Sequence, residues 1–247
     1  MLQTIFWIVV LVAVPLYLRF VKNIKNFDLS ASRKVAVSCR QSTAQRYIRD
    51  VSNLEDYEMK VLKSSVVQTY GGKDHEPNHG KASTQEADLD YALQGYAMGI
   101  WWQAVFSMRF LSCGGFWSQC KGGPISRLLP KGSPSGGFML RKIDDTKTMV
   151  IHTEKYLLPY GTPFGWIIAP LWRGWLGRSM EVEMEIIKES LELIEASEDL
   201  RDSASRLPEH HPAVVRFRSK RYGLPDYIRE TLLGSPKLHI AKCSVYP

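Results

Sequence analysis

The residues best able to do chemistry in this 247-residue chain stand in a few short stretches. The first is His75-Glu76-Pro77-Asn78-His79, which satisfies the H-E-x-x-H pattern of zinc hydrolases. That pattern works when two histidines one helical turn apart converge on a metal and the glutamate faces the metal-bound water. Pro77 removes a backbone donor and turns Glu76 away from helical angles. Gly71, Gly72 and Gly80 punctuate the stretch as loop. The spacing predicts a solvated polar loop, with no metal ligand assigned to it.

The cysteines come next. Cys113 and Cys120 are close enough in sequence to pair or to share a metal, whereas Cys39 and Cys243 lie far from them. Four cysteines in a chain of this length do not form a disulfide framework, and reduced buried thiols are expected. The acidic run from Met180 to Leu200 offers many carboxylates from which an acid–base pair could be drawn, but its pattern reads as a solvated charged face. The glycine-rich stretches Cys120–Pro124 and Pro130–Gly137 do not match a phosphate-cradling loop. Arg216, Arg218, Lys220 and Arg221, interleaved with Phe217 and Tyr222, could touch phosphate, yet they read as a basic surface segment. No catalytic residue, cofactor or metal set is assigned.

The elements that must position such residues read as mainly α. Met1–Phe20 carries no charge before Arg19 and is long enough, at ~1.5 Å per residue, to span ~27 Å of bilayer. Trp7 and Tyr17 suit the two interfaces, and Arg19 and Lys22 open a basic flank through residue 41 that predicts a cytoplasmic or matrix orientation. Residues 42–113 read as a helical region. Tyr47, Val51, Leu54, Tyr57 and Val61 recur at helical spacing up to Gly71, and Ser83 with Glu86 forms a capping box for a second helix. Between Asp90 and Arg109 that second segment has no formal charge, so Ala92–Met108 is either a buried helix or a further span.

Residues 114–178 read as loop, with one β-hairpin turning at Asp144–Lys147 and then an aromatic, proline-broken segment, Tyr156–Arg178. So much aromatic surface must be covered, and Tyr160, Phe164, Trp166, Trp172 and Trp175 are the expected contacts to a partner subunit or lipid. Residues 179–207 form an acidic amphipathic helix with a seam at Met180, Met184, Ile187, Leu191 and Ile194, and residues 208–247 a basic tail.

A net charge of +7, an N-terminal anchor and no catalytic constellation predict a non-catalytic accessory subunit of a large membrane complex. The expected setting is the mitochondrial inner membrane, in a respiratory-chain complex or the ATP synthase, with the bulk of the chain on the matrix side. Its partners would be protein subunits and lipid rather than nucleic acid. The alternatives are a membrane-bound enzyme with a loop metal site and an RNA-contacting component of an organellar ribosome.

Overall fold

Alternation of period two, not helical periodicity, governs the middle of the chain. In Gln103–Arg109 the odd positions carry Gln, Val, Ser and Arg, and the even ones carry Ala104, Phe106 and Met108, all buried. A strand places successive side chains on opposite faces, so this pattern buries one face and wets the other. The computed structural model describes residues 27–69, 88–97, 100–124, 132–158, 165–203 and 206–219.

Its strands are β1 (Phe27–Val37), β2 (Val61–Thr69), β3 (Leu89–Ala97), β4 (Ile100–Phe110), β5 (Phe116–Gly122), β6 (Ser135–Lys142) and β7 (Thr148–Leu158). They form one antiparallel seven-stranded sheet in the order β1-β7-β6-β5-β4-β3-β2. Sequential strands from β2 to β7 pair as a meander, and β1 closes the order by lying beside β7. Between β1 and β2 the chain crosses from one sheet edge to the other through α1 (Gln41–Arg49), a 3-10 turn (Val51–Asn53) and α2 (Leu54–Tyr57). After β7 comes α3 (Gly165–Ala196), then the short α4 (Glu198–Ser203) and α5 (Pro212–Ser219).

The 32-residue α3 is about 48 Å long. Its seam of Met180, Met184, Ile187, Leu191 and Ile194 is buried against the sheet and the α1–α2 crossover. Phe138, Met108, Tyr47 and Tyr57 complete the core beneath it. The Tyr57 ring meets the edge of Phe138 at 5.7 Å.

The mainly α expectation is therefore overturned. The helix predicted from Ser42 to Gly71 stops after two turns at Arg49, turns through α2, and becomes β2. Tyr47 and Leu54 lie in helices as the spacing requires, but Val61 opens a strand. The segment Ala92–Met108 is the β3–β4 hairpin and neither a buried helix nor a span. Its glutamines and Ser107 do not dilute a membrane helix; they are the outward members of alternating strands. The Asp144–Lys147 turn joins β6 to β7, closed by the Lys147 carbonyl accepting from Ile143 N–H at 3.0 Å, but it is one strand connection of several. Pro170 does not break the aromatic segment. It stands in the second turn of α3, where it forfeits one backbone bond, and the long buried remainder of the helix outweighs that loss.

Candidate functional site

Three elements bring five carboxyl, ammonium and imidazole side chains and one tyrosine hydroxyl together inside the domain. On β7 the alternation points His152, Glu154 and Tyr156 inward, buried beneath α3. The short connection from α2 into β2 supplies Glu58 and Lys60. From α3 come Glu183 and, one turn earlier, Ser179, both fully buried.

Each residue is positioned by a local cause. His152 pairs in register with Phe138 of β6, and the two rings stack at 4.1 Å and 13°. Glu154 lies opposite Gly136, which lies opposite Ser118, while Ala31 flanks it on β1. Small residues thus leave the Glu154 carboxylate free of competing side chains on its own pleat row. Gly95 of β3 has a related role, because a Cβ there would stand 2.0 Å from the Lys60 carbonyl oxygen. Only a glycine lets the Lys60 backbone come this close to the sheet. Glu183 secures the same connection from above. Its Oε1 accepts from the Met59 N–H at 3.1 Å and from the Ser179 hydroxyl at 3.0 Å.

The charges divide into a front and a rear. In front, Lys60 Nζ donates to both Glu154 oxygens at 2.7 Å and approaches the Tyr156 oxygen at 3.4 Å. The Tyr156 hydroxyl donates to Glu154 Oε2 at 2.7 Å. The ammonium also lies 5.9 Å from the centre of the Tyr156 ring and 5.8 Å from that of Trp175, within cation–π range. The Glu58 carboxylate stands 4.0 Å from Lys60 Nζ and, among the described residues, receives no hydrogen bond. Glu58 and Lys60 keep 13% and 11% side-chain exposure, so this side reaches solvent. At the rear, His152 Nε2 is 3.8 Å from both Glu58 and Glu154, and its Nδ1 is 3.6 Å from Glu183 Oε2. Neither His152 Nδ1 nor Glu183 Oε2 has a hydrogen-bond partner within the usual limit.

Three carboxylates face one ammonium, and burial decides how protons are shared. Desolvation and then the neighbouring Glu183 push Glu58 well above the usual carboxylate range. Glu183 is pushed up to about 7, chiefly by burial. Glu154 goes the other way: burial raises it most, but the Lys60 ammonium, His152 and the hydrogen bonds from Lys60 and Tyr156 together lower it further. Lys60 is held well above its ordinary value by Glu154, against the opposing effect of burial. His152 is pulled down to about 4 by burial and is neutral near pH 7. One charged pair, two carboxyls of raised proton affinity and a neutral imidazole follow.

Ligand atoms of Glu58, His152, Glu154 and Glu183 lie within 4.8 Å of one another, close enough for carboxylate and imidazole donors to share one ion. The Lys60 ammonium, however, already engages both oxygens of Glu154. A divalent cation would have to displace it.

The residues singled out from sequence lie elsewhere or beside this cluster. Trp175 is buried and Trp172 half-buried. They meet edge to face at 5.3 Å, and Trp172 meets Tyr156 at 5.6 Å. Both thus pack inside the chain, where Trp175 walls the cluster. Full burial of such a ring contributes about 4–6 kcal/mol before entropy is counted. Trp166 belongs to α3, while Tyr160 and Phe164 lie outside the described residues, as do His75 and His79. The predicted anchor Met1–Phe20, with Trp7, Tyr17, Arg19 and Lys22, also lies outside them. Among the described residues no helix is long and apolar enough to cross a membrane. Cys39 and Cys120 are buried and Cys113 half-buried, all three as free thiols. None of the clustered residues was expected to be functional. The one signal in the sequence was the alternation His152-x-Glu154-x-Tyr156, which begins in the predicted hairpin and runs past its expected end.

No protein-family model matches the chain, and no curated protein matches it by sequence. Solved structures do share its fold. A protein from Thermus thermophilus matches with a TM-score of 0.50 at 17% identity, over 69% of this chain and 100% of that one. A START superfamily protein from Mycobacterium smegmatis matches with a TM-score of 0.47 at 13% identity, over 65% and 97%. The Zhui aromatase/cyclase of a Streptomyces species matches with a TM-score of 0.43 at 12% identity, over 85% and 100%. These likenesses concern architecture alone. The sheet-and-helix domain described above, an architecture shared with the Thermus thermophilus protein, replaces the helical, membrane-anchored architecture on which the expectation of an accessory subunit of a respiratory-chain complex or the ATP synthase rested, and that expectation is corrected. The integral placement in the mitochondrial inner membrane is corrected with it: the segment expected to supply a second span is a β-hairpin, and among the described residues no helix is long and apolar enough to cross a membrane.

Proposed function

We propose that this chain binds a small organic molecule against the front of the Lys60–Glu154 cluster and moves a proton on it. One observation supports this above all. Five ionisable groups from three elements converge in the interior with more carboxylate than ammonium. Burying a charge costs several kcal/mol, and an apolar core of equal volume is commonly as stable or more so. Such groups, with proton affinities pushed apart, cluster where proton chemistry is done.

The roles follow from position. Lys60, fixed by Glu154 and Tyr156, holds its positive charge at the front and stabilises negative charge developing on a substrate oxygen. The Glu58 carboxyl accepts no hydrogen bond among the described residues and has its proton affinity raised by burial, so it takes or gives the proton. Glu154 and Tyr156 are positioning residues for Lys60. The reaction class is proton transfer next to a polarised oxygen, as in a carbonyl or hydroxyl compound. The carboxylate excess disfavours an anionic ligand.

Fluorescence titration of the full chain with two probes tests this. Neutral N-phenylnaphthylamine should bind one per chain and change the emission of Trp172 and Trp175. Anionic anilinonaphthalene sulfonate should bind about tenfold or more weakly, which is about 1.4 kcal/mol. Native mass spectrometry of protein purified without organic additives should show a retained small molecule that Glu58→Gln loses. Exclusion of both probes with no retained molecule would leave the cluster a purely structural ion network.

A further inference from the structure

Behind the front groups, the Glu183 carboxyl and the His152 ring form a line that ends at Glu58. Glu183 Oε1 is pinned by the Met59 N–H and the Ser179 hydroxyl, which aims Oε2 at His152 Nδ1, 3.6 Å away. The imidazole is gripped by stacking on Phe138, so its edge is fixed while both nitrogens face carboxyl groups. Its Nε2 lies 3.8 Å from Glu58 Oε1. The line runs from the fully buried Glu183 to Glu58 at 13% exposure.

We propose that Glu183 and His152 are a proton relay that reloads Glu58 from the interior. This rests on the reading of the cluster as a proton-transfer site. Once Glu58 has given up its proton, Glu183 Oε2–H faces His152 Nδ1, and His152 Nε2–H faces the Glu58 carboxylate. In the transfer the Oε2–H bond of Glu183 breaks as Nδ1–H forms, and the Nε2–H bond breaks as Glu58 Oε1–H forms. Glu183 ends as carboxylate, Glu58 as neutral acid, and the imidazole as its other tautomer. No electrons are exchanged and no co-reactant is needed. Contacts of this length shorten into hydrogen bonds when a ligand closes a site. The arrangement also accounts for the two unpartnered atoms, which face each other across one donor and one acceptor.

Glu154 is the other acceptor within 3.8 Å of Nε2, but the Lys60 ammonium bound to both its oxygens keeps it a carboxylate. The proton therefore goes to Glu58. The titratable groups facing Glu183 among the described residues are Lys60 and Glu58 of the connection, Tyr57 of α2, and His152 and Glu154 of β7. Lys60 alone among them carries a positive charge at neutral pH, and it is already committed to Glu154.

The test uses the full chain with 15N-labelled histidine, the His152 signal being assigned by its absence in His152→Gln. At pH 6 the ring should be the neutral Nε2–H tautomer, and it should shift toward Nδ1–H as pH rises through about 7. The infrared difference between wild type and Glu183→Gln should contain the C=O stretch of one buried protonated carboxyl, lost over the same range. In that variant the amide donates to Nδ1, so the Nε2–H tautomer should persist to high pH. An imidazolium at pH 6, a ring fixed as Nδ1–H throughout, or a carboxyl band unchanged in Glu183→Gln would each overturn the relay. Should Glu183→Gln not fold, the wild-type tautomer and band still decide. These readouts need no substrate, so failure of the binding proposal shows in the probe titrations and failure of the relay shows here.

Discussion

Lys60 and Glu154 hold each other at two points, with Nζ 2.7 Å from either carboxylate oxygen, in a site where each side chain keeps about a tenth of its exposure. Lys60→Met leaves that carboxylate buried without a counter-charge. Loss of one partner of a buried pair costs about 3–5 kcal/mol. The variant should lose that much at pH 7 by urea denaturation, and Lys60→Met with Glu154→Gln should recover most of it. A loss below about 1 kcal/mol would mean that water reaches Glu154 freely.

Glu183 and His152 impose opposite pH dependences. Burial raises Glu183 from 4.5 to about 7, so the folded chain keeps a proton that the unfolded chain releases, and stability falls as pH rises through this range. His152 is lowered from 6.5 to about 4, so the unfolded chain takes up a proton that the folded chain refuses, and stability falls as pH drops through that range. In wild type the two slopes oppose each other between about 4.5 and 6.5. Glu183→Gln should unmask stability that rises with pH there, and His152→Gln stability that falls. Parallel curves for both variants would remove the basis for either shift.

Asp56 anchors the C-terminal part of the described chain. Its carboxylate is almost fully buried and accepts from Arg206 at 2.8 and 3.1 Å and from Arg218 at 3.1 Å. Both arginines are partly exposed, which lowers the value of the network. Asp56→Asn should cost about 2 kcal/mol. Hydrogen exchange should show α5 losing protection before α3, and uniform loss across the domain would refute a local anchor.

Gly95→Ala tests how tightly the connection carrying Lys60 is held. The new methyl group would meet the Lys60 carbonyl at 2.0 Å and the Trp102 ring at 2.5 Å. Overpacking of this kind costs about 1–3 kcal/mol or more. The variant should fall in melting temperature and lose the tryptophan response to N-phenylnaphthylamine, because Lys60 moves off Glu154. An unchanged melting curve would show that β3 and the connection can separate at little cost.

The sequence carried one face of α3 legibly, because Met180, Met184, Ile187, Leu191 and Ile194 sit on a long helix whose other side is charged. The β6–β7 hairpin was legible from its polar turn. The alternation in Gln103–Arg109 was present too, but an uncharged stretch with two glycines looks equally like a diluted apolar helix. Helical spacing misled through Val61 because Tyr47 to Tyr57 do lie in helical turns. The cluster was least legible. His152 stood in a recognised strand, but Tyr156 was read into the aromatic segment after it, and nothing local shows that Lys60 crosses from the far sheet edge or that Glu183 leaves an otherwise solvated acidic pattern to face inward. Such contacts depend on closure of the sheet.

That closure sets a clock. Ser32 of β1 meets Thr153 of β7 across 121 residues of chain. At a synthesis rate of roughly 5–20 residues per second, β1 emerges roughly 6–24 s before its partner exists. Through that interval it is a nascent strand with both edges unpaired, a template for pairing with neighbouring chains. Its own residues limit the hazard: Ser30, Ser32 and Lys34 face outward, and Arg33 supplies a second positive charge in the same short strand. Replacing Lys34 and Arg33 with valine should therefore lower the yield of newly made soluble chains more than it lowers the stability of those that finish folding.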